Sequence, residues 1–331
     1  MNSKKIKIGI ISFEHMHALS YTTALSEMDN IEIVGIFDED EFRGTEMASR
    51  FETKYFRKGS ELFSETLDGI VICSNNKDHV KYVEKSIEKK IPFIVEKPLA
   101  NSFENGKKIV DIVKNSNVLG MIAFPMRFNP GILEAKRCID NGEIGEILSI
   151  TGINHGKIPT GWFLEKNLSG GGAIIDHTVH IADLIRWFTR SEFSQVFASG
   201  GELLHHRGID DTGIILGNLE NKVKISIDCS WAHHTNYPIW PQVDLDIIGT
   251  KGSMQIKGFS QVLEVVNKNS GVNEEIVWGD DGDGQMMEAF VHLCHSHEMK
   301  SDYPTVQDGF EALKVALAAY RSIDEKNSIQ I

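Results

Sequence analysis

An alternation in the first third of this chain constrains its fold more than any other feature. Short β-rich apolar runs at Ile6–Ser12, Ile31–Asp38, Gly69–Ser74, Pro92–Glu96 and Val118–Phe124 are separated by stretches with helical periodicity. This pattern reads as βαβ units, which build a doubly wound parallel sheet with helices on both faces. Such sheets bind ligands beyond the carboxyl ends of their strands. The motifs of this region that carry chemistry all stand at such an end.

After Pro130 the texture changes. A helix through Cys138 should stop at Asn141-Gly142, followed by a strand near Ile147–Asn154 and a loop with Pro159, Gly161 and Trp162. Gly170-Gly171-Gly172 leads into another helix, where the glycines would let the backbone come close to a ligand. Val223, Ile225, Ile227 and Cys229 alternate with polar residues, as do Val243, Leu245 and Ile247, so these segments read as half-buried antiparallel strands. A turn follows at Gly249-Thr250-Lys251-Gly252, and helices resume near Met286 and Val306. At 331 residues the chain exceeds what one core usually serves. The expected fold class is α/β in two domains. Residues 1–124 form the parallel-sheet domain, and residues 125–331 form an α/β domain with a large open, mostly antiparallel sheet, the last helix packing back on the first.

A formal charge of -13 without any basic block argues against nucleic acid and against an anionic membrane surface, which leaves small-molecule partners. Cys73, Cys138, Cys229 and Cys294 stand far apart, so neither a disulfide framework nor a thiolate zinc site is signalled. The amino-terminal stretch lacks the long apolar core of a secretion signal, and no run approaches the ~20 apolar residues of a membrane span. A cytoplasmic location is expected. Thirteen histidines include the pairs His15/His17, His177/His180 and His233/His234 and the set His292/His295/His297. Each needs a further donor from a distant segment to hold a metal, so no metal is expected.

A dinucleotide-binding first turn normally reads Gly-x-Gly-x-x-Gly, so that the pyrophosphate can approach a helix amino terminus. Here Ser12, Glu14 and His17 occupy those positions, and Glu14 would repel a phosphate unless its side chain points away. Asp38 ends the next strand where an acid binds the adenosine ribose, and together with Glu39 it favours NAD over NADP by repelling a 2′-phosphate. The competing reading of Asp38 is a solvated acidic turn. Ser74, Asn75, Asn76 and His79 follow another strand, either against the cofactor's central portion or as turn and capping residues.

Glu96-Lys97-Pro98 closes the Pro92–Glu96 strand, and the proline holds Lys97 extended at the strand's end. With Ser74–His79, Ala123–Pro130 (Phe-x-x-Arg-x-x-Pro), Asn141–Gly145 and Gly170–His180 (Gly-Gly-Gly-x-x-x-Asp-x-x-x-His), the chain resembles the Gfo/Idh/MocA oxidoreductases nearly end to end. The resemblance implies a Rossmann domain binding NAD, a carboxyl-terminal α/β domain, and homodimers or homotetramers formed through its sheet. It also implies oxidation of a secondary hydroxyl on a sugar, cyclitol or related polyol. Cofactor contacts are then expected from Ser12, Phe13, His15, Met16, Asp38, Ser74, Asn75, Asn76, His79, Glu96, Lys97 and Arg127. The missing glycines of the first turn are the main departure.

Asp176 and His180 share a helix face, flanked by apolar residues that suggest a buried cavity lining. Oxidising an alcohol needs a base that titrates near neutrality, so His180 is the candidate general base. Asp176 would orient substrate or His180, and Lys97 would polarise the reacting oxygen. Arg127, Trp162, Asp176, His177 and His180 are the candidate substrate contacts. Plainer roles compete: a buried structural pair for Asp176/His180, ion pairs for Lys97 and Arg127, ordinary core for Trp162. Two other functions share the scaffold. One is a non-catalytic ligand-binding or regulatory protein; the other is an enzyme using tightly bound NAD transiently in glycoside cleavage or epimerisation.

Overall fold

The computed structural model describes residues 5–237, 240–259, 262–266, 273–277 and 282–331. The first four residues of the amino-terminal stretch and residues 238–239 lie outside it. The chain forms two compact units.

The first unit runs through Phe124 and is built from β1 (Ile6–Ile11), α1 (His17–Ser26), β2 (Ile31–Phe37), α2 (Glu41–Arg50), β3 (Lys54–Phe56), α3 (Gly59–Leu62), β4 (Gly69–Ile72), α4 (His79–Lys89), β5 (Phe93–Val95), α5 (Phe103–Lys114) and β6 (Gly120–Ile122). The six strands pair in parallel in the order β3-β2-β1-β4-β5-β6. This is the doubly wound Rossmann order, in which the chain reverses direction beside β1 and leaves a crevice at the strand ends. Strands β1, β4 and β5 are apolar and buried almost throughout, as a sheet covered on both faces requires. The edge strand β3 escapes the sequence pattern because its three residues are too few to show a period.

The second unit begins at Pro125. Its α6 (Pro130–Asp140) starts with Pro130 in the first turn and Asn129 capping the amides of Gly131 and Ile132. Strand β7 (Ile147–Lys157) follows, then the short α7 (Lys166–Ser169), whose segment Glu165–Gly170 folds with the first unit. Next come the 17-residue α8 (Ala173–Thr189), β8 (Phe193–Gly201), β9 (Thr212–Leu219), β10 (Lys224–His233), β11 (Gln242–Gly249) and β12 (Ser253–Lys257). Strands β13 (Val262–Val266) and β14 (Asn273–Val277) form a separate antiparallel pair. Helix α9 (Asp283–Ser296) and the start of α10 (Val306–Glu325) belong to the first unit, and β15 (Ile329–Gln330) closes the chain.

The large sheet runs β12-β11-β7-β10-β9-β8-β15 and is open and mainly antiparallel. One pairing differs from the sequence expectation: β10 is antiparallel to β9 but parallel to β7. Alternation reports which faces are buried, not which neighbour a strand takes, so it is silent on this point. Helix α8 covers the inner face. A side chain at Gly152 of β7 would collide with Ile181, and one at Gly213 of β9 would collide with Ile174, so both glycines are cut to the helix. No helix among the described residues is long and apolar enough to cross a membrane.

Candidate active site

The first turn keeps its backbone shape without glycine. Ser12 sits at φ 68°, in the left-handed region, which costs an L-residue about 1 kcal/mol. Its hydroxyl accepts the Glu14 amide at 3.1 Å and lies 3.4 Å from Asp38. Glu14 is directed away from the turn: its carboxylate accepts the backbone and side-chain amides of Asn75 at 2.9 and 3.0 Å. The repulsion expected between Glu14 and a phosphate is thereby relieved. The amides of Phe13, His15 and His17 are engaged by Asp38, the Cys73 carbonyl and His15 Nδ1 respectively, while Met16 stands exposed just before α1. The turn thus offers a helix amino terminus, an acid at the end of β2 and an open residue, which fits a dinucleotide, although several donors are already spent within the turn.

Asp38 is fully buried, and Arg43 grips both of its oxygens, at 2.8 and 2.6 Å. Arg43 was not singled out from sequence; its place in the first turn of α2, five residues after Asp38, was the available signal. Among the residues after β4, Asn76 donates to the Ser169 carbonyl at 2.8 Å, and the Ser74 hydroxyl bonds the Asn75 carbonyl at 3.2 Å. The two ring nitrogens of His79 face the carbonyls of Leu99 and Ser74, at 3.2 and 3.1 Å. Phe13 stacks on Phe51.

Glu96 lies at the end of β5, buried beneath the first turn. Its Oε1 accepts the Tyr21 hydroxyl at 2.6 Å and lies 3.1 Å from His17 Nδ1 and 3.5 Å from His15 Nδ1. Burial alone would raise this carboxyl, but the positive potential of His15 and His17 and the His17 hydrogen bond hold it well below the ordinary range. Burial opposes the charge on His17, yet Glu96 raises its imidazole above the usual value. Tyr21 and Cys73 are pushed well up, first by burial and then by the Glu96 charge. Lys97 follows directly and is buried. Tyr21 was not read from sequence; its spacing of four from His17 on α1 is the only trace it leaves.

In the second unit, α8 brings Asp176, His177 and His180 together in the buried interior. Trp231 Nε1 donates to Asp176 Oδ2 at 3.1 Å, and His177 Nε2 lies 3.4 Å from the same oxygen. His177 Nδ1 faces the Asn154 carbonyl at 3.0 Å. Arg127 is held in a two-pronged pair with Asp183 at 2.8 and 2.6 Å and lies over Trp187. Trp162 is buried and stacks on Phe163. Packing against the protein itself accounts for the glycine triplet. A side chain at Gly170 would strike Asn101, one at Gly171 would strike Tyr320, and one at Gly172 would strike Asp210.

Two family models match this chain: one described as oxidoreductase family, NAD-binding Rossmann fold, over residues 6–124, and the GFO/IDH/MocA C-terminal domain over residues 132–255. The chain belongs to the Gfo/Idh/MocA oxidoreductase family. It is accordingly an oxidoreductase with an NAD-binding Rossmann domain. Inositol 2-dehydrogenase from Rubrobacter xylanophilus is 23% identical, spanning 97% of this chain and 92% of its own length. Levoglucosan dehydrogenase from Pseudarthrobacter phenanthrenivorans is 32% identical over 47% of this chain and 43% of its own. GenD2 from gentamicin A biosynthesis, solved in complex with NAD, shares the fold at a TM-score of 0.89 and 20% identity, over 100% of this chain and 97% of that one.

Proposed function

We propose that this family member oxidises a secondary hydroxyl on a sugar, cyclitol or related polyol, using Lys97, Asp176 and His180. The observations that carry the reading are a buried lysine directly after β5 in the first unit and, taken by itself, a buried Asp176/His180 stripe on α8 in the second. When bound, NAD supplies the hydride acceptor. Lys97 polarises the reacting oxygen, and His180 takes the hydroxyl proton as the carbon loses hydride. Asp176, steadied by the Trp231 indole, orients substrate hydroxyls or His180. The substrate class is supported by relatives named inositol 2-dehydrogenase, levoglucosan dehydrogenase and glucose-6-phosphate 3-dehydrogenase. Four free cysteines suit a reducing, cytoplasmic setting. A homodimer or homotetramer is proposed through the outer face of the large sheet.

The test is nicotinamide reduction with a panel of inositols, glucose, glucose 6-phosphate and levoglucosan. Lys97→Ala and His180→Ala should each lower kcat by about 10²–10⁴, and in His180→Ala NAD binding, read by fluorescence, should change little. Full turnover in both variants would overturn the assignment.

A further inference from the structure

Histidine pairs in the sequence lacked a donor from a distant segment, and the fold brings one to His15 and His17. Glu96, about eighty residues further along the chain, places Oε1 at 3.1 Å from His17 Nδ1 and 3.5 Å from His15 Nδ1, and one atom from each residue lies within 4.8 Å of the others. Ligand atoms around a tetrahedral zinc, each about 2.05 Å from the ion, stand about 3.3 Å apart. Two of the three separations already match that edge. The lone pair of His15 Nδ1 accepts the His17 amide at a long 3.3 Å, and an ion on that nitrogen would take the place of this bond.

Charge and access agree. Glu96 and Asp283 act on His17 against one ammonium, Lys97, so a dication would meet a net negative surround. His15 and Glu96 are each only 1% exposed, whereas the His17 side chain is 29% exposed and leaves a way in. The Tyr21 hydroxyl holds the carboxylate at 2.6 Å, the kind of outer hydrogen bond that orients a metal-bound acid.

We propose that His15, His17 and Glu96 form a site for one divalent transition ion of the zinc class, with a water in the fourth position. Two imidazoles and one carboxylate suit such an ion, and three protein ligands plus an open position are a common zinc arrangement. All three residues lie in the first unit, so the ion would clamp the glycine-free first turn to the end of β5.

The experiment uses the full chain, stripped by dialysis against a chelator and titrated with Co²⁺ and then Zn²⁺. One Co²⁺ per chain should bind, with the intense visible absorption of four-coordinate cobalt, and Zn²⁺ should displace it. His15→Ala and Glu96→Gln should each weaken binding at least about 100-fold, and His17→Gln, at the exposed side, serves as the variant least prone to misfold. Absence of stoichiometric binding to the wild type overturns the proposal. So does binding unchanged in these variants. NAD binding measured on the stripped protein keeps the two readings apart: NAD bound without any ion affinity sinks only the metal site, and ion bound without NAD sinks only the cofactor assignment.

Discussion

His79 is fully buried and its ring nitrogens face two carbonyls, so it ties the loop after β4 to the segment after β5. Burial is the largest influence on it and lowers its pKa below the ordinary histidine value, against the raising effect of those carbonyls and of Glu96. The unfolded chain therefore binds the proton more readily below about pH 6.5, and stability must fall as the pH drops through that value toward the lower folded pKa. The slope from one such group is at most about 1.4 kcal/mol per pH unit. Denaturant midpoints at pH 7.5 and 5.5 should diverge in the wild type, and His79→Gln should reduce the divergence; an unchanged divergence would remove His79 as a cause. At this scale the sequence indicates which residues are chemical but not what they touch. Asp38 was legible as the acid ending β2, whereas its capture by Arg43 depends on how α2 turns back over the strand. Glu14 looked hostile to a phosphate because its rotamer, and the Asn75 amides that fix it, have no signature in the chain.

Helix α8 shows the same limit at the level of an element. Its 3.6-residue pattern and the polar stripe of Asp176 and His180 were legible, but its amino terminus is fixed by groups far away in sequence. Asp210 accepts the amides of Gly172 and Ile174, each at 2.8 Å, and Tyr320 donates to Asp210 at 2.9 Å while accepting the Gly172 amide at 3.1 Å. These partners stand 38 and 148 residues from Gly172, so no local pattern could announce them. A carboxylate at a helix amino terminus caps it and meets its positive end. Asp210→Ala should cost about 1–2 kcal/mol of stability, and because it loosens the helix that carries Asp176 and His180, kcat should fall more than the affinity for NAD. Gly172→Ala drives a methyl into the Asp210 carbonyl and should cost at least about 2 kcal/mol. Thermal unfolding and steady-state kinetics on the two variants check both; a Gly172→Ala protein as stable as the wild type would contradict this account of the triplet.

At the scale of the whole molecule, the open sheet has one face under α8 and one without cover among the described residues. Register places Phe197, Leu216, Ser226, Thr151 and Asp246 along one outward row, and Ser199, Ile214, Asp228, Ile153 and Asp244 along the next. The apolar members cluster at β8 and β9, where Phe197, Ile214 and Leu216 are 43%, 54% and 52% exposed, while β10 and β11 contribute acids. The alternation of β10 and β11 in sequence announced half-buried strands without saying which half a second chain would cover, since a solvated face and an interface can share the same period. A two-fold axis over β8 and β9 would set the apolar cluster of one copy against that of another, with the acidic rows displaced from each other toward the rim. Leu216→Glu places a carboxylate in the middle of that cluster while leaving the inner face and α8 untouched, so it should lower the mass measured by light scattering without lowering the unfolding temperature of the monomer. Thr151→Glu, on the same outward row but two strands away, is the control and should leave the mass as it was. If Leu216→Glu keeps the wild-type mass, or if the wild type itself runs as a monomer, assembly through this face is excluded and the exposed row at β8 and β9 needs a different explanation.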